Sequence, residues 1–353
     1  MDVLGLDSRE KVVAYLGEGA LADQLGWTPA EVEAQLETLL KYGAHIADTL
    51  GFTDAAAMTE AEMTRVFHYY LPVFMWCVEQ LMIHTATYVQ DQKDPPIPPV
   101  VIGISAPQGC GKTTIVEQLV GLFEFAGMTC ACASIDDFYL TFAEQTALAE
   151  ANPDNPLLKF RGNAGSHDLE LGAETVRALK ACTTKDAEVL CPRYDKSLNS
   201  GKGDRAPRDQ WAKVTGPVDV VLVEGWMLGF EPTEPGIAKD VHPGLEKINE
   251  LLPQYNEMWD ALCDSWIVVQ VDDPSYVFKW RLQAEHQMRD AGKPCLTDAE
   301  VEDFCDRFMP AYQAYLPKLY QQGPKDVEEF RVLEINIDES RSPIKSKVAT
   351  RAA

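Results

Sequence analysis

The chain has 353 residues, 46% hydrophobic and 24% charged, a balance that fits a globular fold of one large domain with an appendage, or of two domains. Its 31 Lys and Arg stand against 55 Asp and Glu, a net charge of −24. A field of that sign repels nucleic acid and anionic membranes, so neither is expected as a partner, and an anionic substrate would need a local basic pocket.

Nine cysteines, odd in number and scattered, suit a reducing compartment better than a disulfide framework. Residues 1–96 read as an all-helical region. Met1-Asp2-Val3-Leu4-Gly5 has no cleavable apolar or basic leader, which fits a cytoplasmic protein or one whose transit peptide has been removed. Thr28-Pro29-Ala30-Glu31 and Thr59-Glu60-Ala61-Glu62 are capping-box starts, each followed by apolar residues at helical spacing. The apolar run 73–89 is interrupted by Glu79 and His84 and preceded by Pro72, so it reads as a core helix and not a membrane span. Asp94-Pro95-Pro96-Ile97-Pro98-Pro99 is a stiff connector. It sets the boundary with a second domain over 97–345, on which the helical region is expected to pack as a stabilising layer.

Beyond the connector, β-like runs alternate with helical ones. Strands are expected over 100–105, 129–135, 218–224, 265–271 and 330–335, the last as an edge strand. Four of the five are nearly continuous in apolar residues, which predicts a parallel sheet covered by helices on both faces. The expected class is α/β. Cys130 and Cys132 lie two apart on the second run and read as small packed side chains, since metal-ligand spacing is missing. Residues 346–353 are expected to form a flexible tail. Neither a monomer nor a dimer is favoured by the sequence.

Ala106-Pro107-Gln108-Gly109-Cys110-Gly111-Lys112-Thr113 follows the first strand directly and leads into a helical stretch. A strand, a glycine-rich turn and Lys-Thr opening a helix make a phosphate cradle. Gly109, Cys110 and Gly111 offer backbone N–H groups, Lys112 reaches the β- and γ-phosphates, Thr113 offers its hydroxyl to Mg²⁺, and Thr114 continues the nucleotide contact. Ala106 stands where the usual pattern has Gly. Asp136 and Asp137 close the second strand, where open parallel sheets bind ligands, and suit a proton acceptor or a Mg²⁺ ligand. Glu224 ends the apolar run Val220-Val221-Leu222-Val223 like a Walker B acid, and is a second Mg²⁺ candidate beside Thr113 and Asp136.

The acceptor is expected to be read between these strands. Tyr139 follows the acid pair, and Arg161 and His167 anchor the polar, glycine-rich segment 160–168. From Arg193 to Lys213 there are six Lys or Arg and three Asp or Glu, an inversion of the chain's overall sign. Arg193, Tyr194, Lys196 and Arg205 are therefore candidates to grip a small acid, Arg193 by a bidentate guanidinium. Arg281 and Arg289 lie eight apart on one helix and suit a lid over the transferring phosphoryl group. The segment 336–343, with Arg341, reads as an adenine-side loop.

Taken together, these motifs resemble the P-loop small-molecule kinases that include phosphoribulokinase, uridine kinase and pantothenate kinase. Within that group the chain most closely resembles the D-glycerate 3-kinases of plant and cyanobacterial type. The resemblance rests on APQGCGKTT (106–114), SIDDFYL (134–140), FRGNAGSHDLELG (160–172), PRYDKSLNSGKGDR (192–205), VLVEGWMLGF (221–230), FMPAY (308–312) and INIDESRSP (335–343). It implies a P-loop NTPase fold and transfer of the γ-phosphoryl of ATP, with Mg²⁺, to the 3-hydroxyl of D-glycerate. In photosynthetic cells that reaction closes photorespiration in the chloroplast stroma. The resemblance aligns Asp136 with the acid proposed as catalytic base and Glu224 with the acid after the Walker B strand.

Two other readings stay open at this level. One is a related kinase for another small alcohol, pantothenate- or uridine-like. The other is a nucleotide-dependent switch or assembly factor whose helical region binds a partner and which releases ADP without an acceptor.

Overall fold

The computed structural model describes residues 4, 6–52, 58–293 and 295–345; the expected tail at 346–353 lies outside them. Helices α1 (Arg9–Gly17) and α2 (Pro29–Thr49) come first, α2 capped by the Thr28 side chain accepting from Glu31 N–H. A full capping box between Thr59 and Glu62 starts α3 (Glu60–Met63), which runs through a π-helical turn, Thr64–Tyr70, into α4 (Leu71–Gln90). No helix among the described residues is long and apolar enough to cross a membrane.

The next elements are β1 (Val100–Ser105), α5 (Lys112–Phe125), β2 (Cys130–Ser134), α6 (Phe142–Ala151) and α7 (Leu169–Lys180). Four short strands follow: β3 (Glu188–Cys191), β4 (Tyr194–Asp195), β5 (Asp204–Arg205) and β6 (Ala212–Thr215). Then come β7 (Val220–Gly225), α8 (Pro235–Val241), α9 (Leu245–Met258), β8 (Ser265–Val271), α10 (Tyr276–Asp290), α11 (Asp298–Asp306), α12 (Met309–Gln322) and β9 (Val332–Ile337).

Five strands form one parallel sheet in the order β2-β7-β1-β8-β9. Strands β1 and β8 are buried along their whole length and β7 nearly so, as their apolar runs require of strands covered on both faces. The two edges alternate instead. In β2 the buried residues are Ala131 and Ala133, with Cys130 and Cys132 partly covered on the other side. The edge position of β9 agrees with its weaker apolar pattern. The antiparallel pairs β3–β6 and β4–β5 add to the five strands expected from the sequence and stand outside the main sheet.

The N-terminal helices share one continuous core with the sheet. The α2 helix and the π-helical turn pack on α5, and α4 packs on β1. Gln80 is buried and bonds Ser265 Oγ at 2.9 Å. Gln24 pairs with both backbone groups of Glu334 on the β9 edge, at 2.7 and 3.0 Å. It thereby occupies part of an edge that would otherwise offer open ladder groups.

Candidate active site

After β1 the chain turns through Ala106–Gly111 into α5. Gly109 and Gly111 hold φ of 78° and 98°, a left-handed conformation that glycine adopts without strain. A side chain at Gly109 is barred twice over, because a Cβ there would lie 2.7 Å from the Trp280 Cβ. Gly111 caps α5 with no side-chain hydrogen bond, and no acid stands in the first turn. The first N–H groups of that helix are thus open to an anion, which the helix dipole favours. The loop is braced from outside: the Tyr312 hydroxyl accepts from Gln108 N–H at 3.0 Å, and Arg341 Nε donates to Gly109 O at 2.7 Å. Burial pushes the Cys110 thiol up to about 11, so it stays protonated and serves packing.

Sheet register sets the acids beside this loop. Ser105 at the end of β1 pairs with Gly225, and Ser134 at the end of β2 pairs with Glu224. Lys112 Nζ forms an ion pair with Glu224 Oε2, both side chains largely buried. Burial disfavours the Lys112 charge, but Glu224 and Asp136 outweigh it and hold the ammonium pKa above its ordinary value. Asp136 follows β2 in a short 3₁₀ turn, Ile135–Phe138. It accepts from Lys196 Nζ at 2.5 Å and from the Tyr139 hydroxyl at 2.9 Å. Burial pushes its carboxyl up, yet Lys196, Lys112 and these hydrogen bonds bring it down to about 2. Asp136 is therefore an ionised acceptor at neutral pH. Phosphate loop, Lys112, Glu224 and Asp136 meet at one end of the sheet, as the sequence reading expected.

The acceptor side differs from that reading. Asp137 accepts from Arg193 at 2.6 Å and from Tyr194 N–H at 3.0 Å, so both its oxygens hold the 193–205 segment in place. Burial nonetheless leaves its pKa raised. Arg205 donates to Asp168 at 3.0 Å and to Tyr139 O at 3.2 Å. Arg161 donates to the carbonyls of Gly201 and Lys202 and lies over the Tyr194 ring, 5.6 Å from its centroid. The positive excess of 193–213 is therefore largely matched by Asp136, Asp137, Asp168 and Glu188. His167, expected to touch substrate, is instead buried. It stacks on Tyr139 at 4.5 Å and bonds the Tyr255 hydroxyl at 2.9 Å, and burial drives its pKa down to about 3. Tyr139 and Tyr194 are likewise buried, ring edge to ring face. Lys196 and Arg193 are the basic side chains of this segment that combine an acid partner at the strand ends with substantial exposure, 56% and 45%.

The lid arginines are also placed differently. Arg281 pairs with the buried Glu285 at 2.5 Å and lies over Phe304 of α11, while Arg289 pairs with Asp298 at the start of α11. Both are tied between α10 and α11, and neither lines the cavity beside the phosphate loop. Arg341 does line that cavity, donating to Gln283 at 2.9 Å as well as to Gly109. Four residues here were not among the expected ones. Trp280 closes the loop through its contact with Gly109, and Arg65, Tyr69 and Tyr70 reach the cavity from the N-terminal helices. Trp280 sits in the stretch after the fourth main strand and was open to detection; nothing local to residues 65–70 announces the approach.

The chain resembles known proteins along nearly its whole length. It is 44% identical to the chloroplastic D-glycerate 3-kinase of Arabidopsis thaliana, across 97% of this chain and 74% of that protein. A probable ATP-dependent kinase of Saccharomyces cerevisiae is 36% identical, across 70% of this chain and 88% of its own length. The solved D-glycerate 3-kinase from Cryptococcus neoformans matches with a TM-score of 0.71 at 32% identity, covering 78% of this chain and 97% of its own. No protein-family model matches. The fold is that of the P-loop kinases, and with such identity along nearly its whole length the chain belongs to the D-glycerate 3-kinase family.

Proposed function

We propose that the protein transfers the γ-phosphoryl group of ATP to the 3-hydroxyl of D-glycerate, giving 3-phosphoglycerate and ADP. The observation that carries this reading is the meeting of an open helix N-terminus, Lys112 and the ionised Asp136 at one end of the sheet, with Lys196 bonded to that same Asp136. The loop amides and Lys112 hold the phosphate chain. Asp136 accepts a hydrogen bond from the glycerate hydroxyl and aims it. A carboxyl near 2 is a feeble base in the resting site, so its first task is orientation, with the proton following as the new P–O bond forms. That suits a loose transition state, where positioning and charge supply most of the rate. Lys196 and Arg193 offer the exposed cationic groups for the glycerate carboxylate.

The residues present also fit Mg²⁺. Thr113 brings a hydroxyl at the start of α5, and Glu224 brings a largely buried carboxylate whose Oε2 meets Lys112. Hard oxygens of this kind, with phosphate oxygens and water, are what the ion takes. Thr113, Glu224 and Asp136 would hold it. Bound there, the ion would neutralise charge on the β- and γ-phosphates. Among the described residues no cluster of three His, Cys, Asp or Glu could hold a metal unaided. A place in the chloroplast stroma, closing photorespiration, is supported by the name of the Arabidopsis relative and by nine unpaired cysteines.

A coupled assay of ADP release against D-glycerate, pantothenate, uridine and ribulose 5-phosphate tests the reading. Release that depends on D-glycerate is expected. Slow release indifferent to every acceptor would overturn it in favour of a nucleotide switch.

A further inference from the structure

The cavity beside the phosphate loop has a wall that the catalytic strands do not build. It measures about 290 Å³, and its lining includes Gly109, Gly111, Thr114, Arg341 and, from the N-terminal helices, Arg65 and Tyr69. No carboxylate stands in that lining, in a chain whose net charge is −24. Two arginines therefore face a space that opens onto the first turn of α5, where unbonded N–H groups already favour an anion.

The two arginines are not equivalent. Arg341 is committed to Gly109 O and Gln283. Arg65 is exposed and forms no ion pair with any described carboxylate. Glu62, one turn before it, feels the Arg65 charge but spends its hydrogen bonds on the Thr59 hydroxyl and N–H. The Tyr69 hydroxyl, on the same wall, is buried with no hydrogen-bond partner. Arg65 and Tyr69 both belong to the π-helical turn Thr64–Tyr70, which packs on α5. Such turns are rare and concentrate at functional sites. Here the turn carries a cationic group and an unsatisfied donor to the edge of the phosphate loop.

We propose that the N-terminal helices are part of the nucleotide site, with Arg65 donating to a phosphate of the nucleotide that the loop holds. The inference rests on the reading that the loop binds ATP. Bound nucleotide then bridges α5 and the 64–70 turn, which gives the N-terminal helices a direct part in binding beyond their packing.

Calorimetric titration of ATP and ADP into the full chain, its Arg65→Met variant and its Arg65→Lys variant tests this, with KM for ATP and for D-glycerate measured alongside. Arg65 is exposed, so the variants are expected to melt like the parent. Arg65→Met should weaken both nucleotides by about tenfold or more, the loss of one hydrogen bond to a charged group. It should raise KM for ATP, leave KM for D-glycerate unchanged, and be partly rescued by lysine. A parent that binds ATP with an Arg65→Met variant of equal affinity overturns the proposal while the kinase reading stands. Equal losses in Met and Lys overturn it too, since they point to packing and not charge. A well-folded parent that takes up no ATP removes the underlying reading itself.

Discussion

Gly109 offers a controlled measurement of how tightly the phosphate loop is built. A residue with a Cβ there must hold φ near +78° and must also meet Trp280 Cβ at 2.7 Å. Gly127, in the turn between α5 and β2, has the same φ of +78° with nothing within 4 Å. Substituting alanine at Gly127 therefore charges the fold only for the left-handed backbone, about 1–2 kcal/mol. Alanine at Gly109 adds the overpacking of two backbone-proximal carbons that no rotamer can separate, a further ~1–3 kcal/mol. The contact is with Trp280 Cβ, so Trp280→Ala does not relieve it. Urea unfolding of the two variants should differ by that second amount. ATP affinity should fall by about tenfold or more in Gly109→Ala, since relief requires moving the loop amides or α10, and should be unchanged in Gly127→Ala. If the two variants were equally stable and bound ATP alike, the close approach of α10 to the loop would have no energetic meaning.

Four other outcomes are expected. Lys112→Met should abolish turnover and also cost stability, on the order of 3 kcal/mol, because Glu224 is left buried without its partner; adding Glu224→Gln should restore stability but not turnover, and recovery of activity would refute Lys112's role. Asp136→Asn, nearly isosteric, should keep ATP binding and lose turnover; a fully active, folded variant would remove Asp136 from the mechanism. His167 titrates near 3 in the folded protein against an ordinary 6.5, so its share of stability is present above 6.5 and lost as pH falls toward 3. That loss amounts to about 5 kcal/mol at full protonation, and His167→Gln, less stable at pH 7, should show a flatter acid limb in urea titrations between those values. Asp260 has the opposite sign: burial raises its carboxyl to about 7 against hydrogen bonds from Asn256 and Gly229. Its contribution is complete below 3.8 and lost as pH rises through 7, so Asp260→Asn should gain on the parent between pH 5 and 8.

What could be read along the chain was what is covalently local. The phosphate loop, its strand and its helix occupy consecutive residues, and β1 and β8 were placed to the residue because apolar runs this dense leave one location in an α/β sheet. Asp136 and Glu224 could be singled out as candidates because strand ends are where such sheets bind ligands. Partner choice was hidden. Arg193 meets Asp137 across 56 positions and Lys196 meets Asp136 across 60, and no spacing rule announces either pair. The partners of Arg281, Phe304 of α11 and the buried Glu285, are likewise set by packing between helices and not by a motif. His167 reads as available for substrate, but its ring is buried against Tyr139, Tyr255 and Trp259.

These pairings change how an acidic chain can hold an acidic substrate. The sign inversion over 193–213 suggested a basic pocket waiting for glycerate, yet Arg193, Lys196 and Arg205 each already meet an acid from the strand ends or the α7 cap. The surplus is used first to assemble the site: Arg205 ties β5 to Asp168, and Arg193 ties the start of β4 to Asp137. A carboxylate arriving at Lys196 must share that ammonium with Asp136. On the proposed reading, the Lys196–Asp136 bond would loosen as the glycerate carboxylate takes its share of the ammonium, freeing an Asp136 oxygen for the acceptor hydroxyl. The charge around Asp136 is largely paired because the same cations first hold the strand ends together.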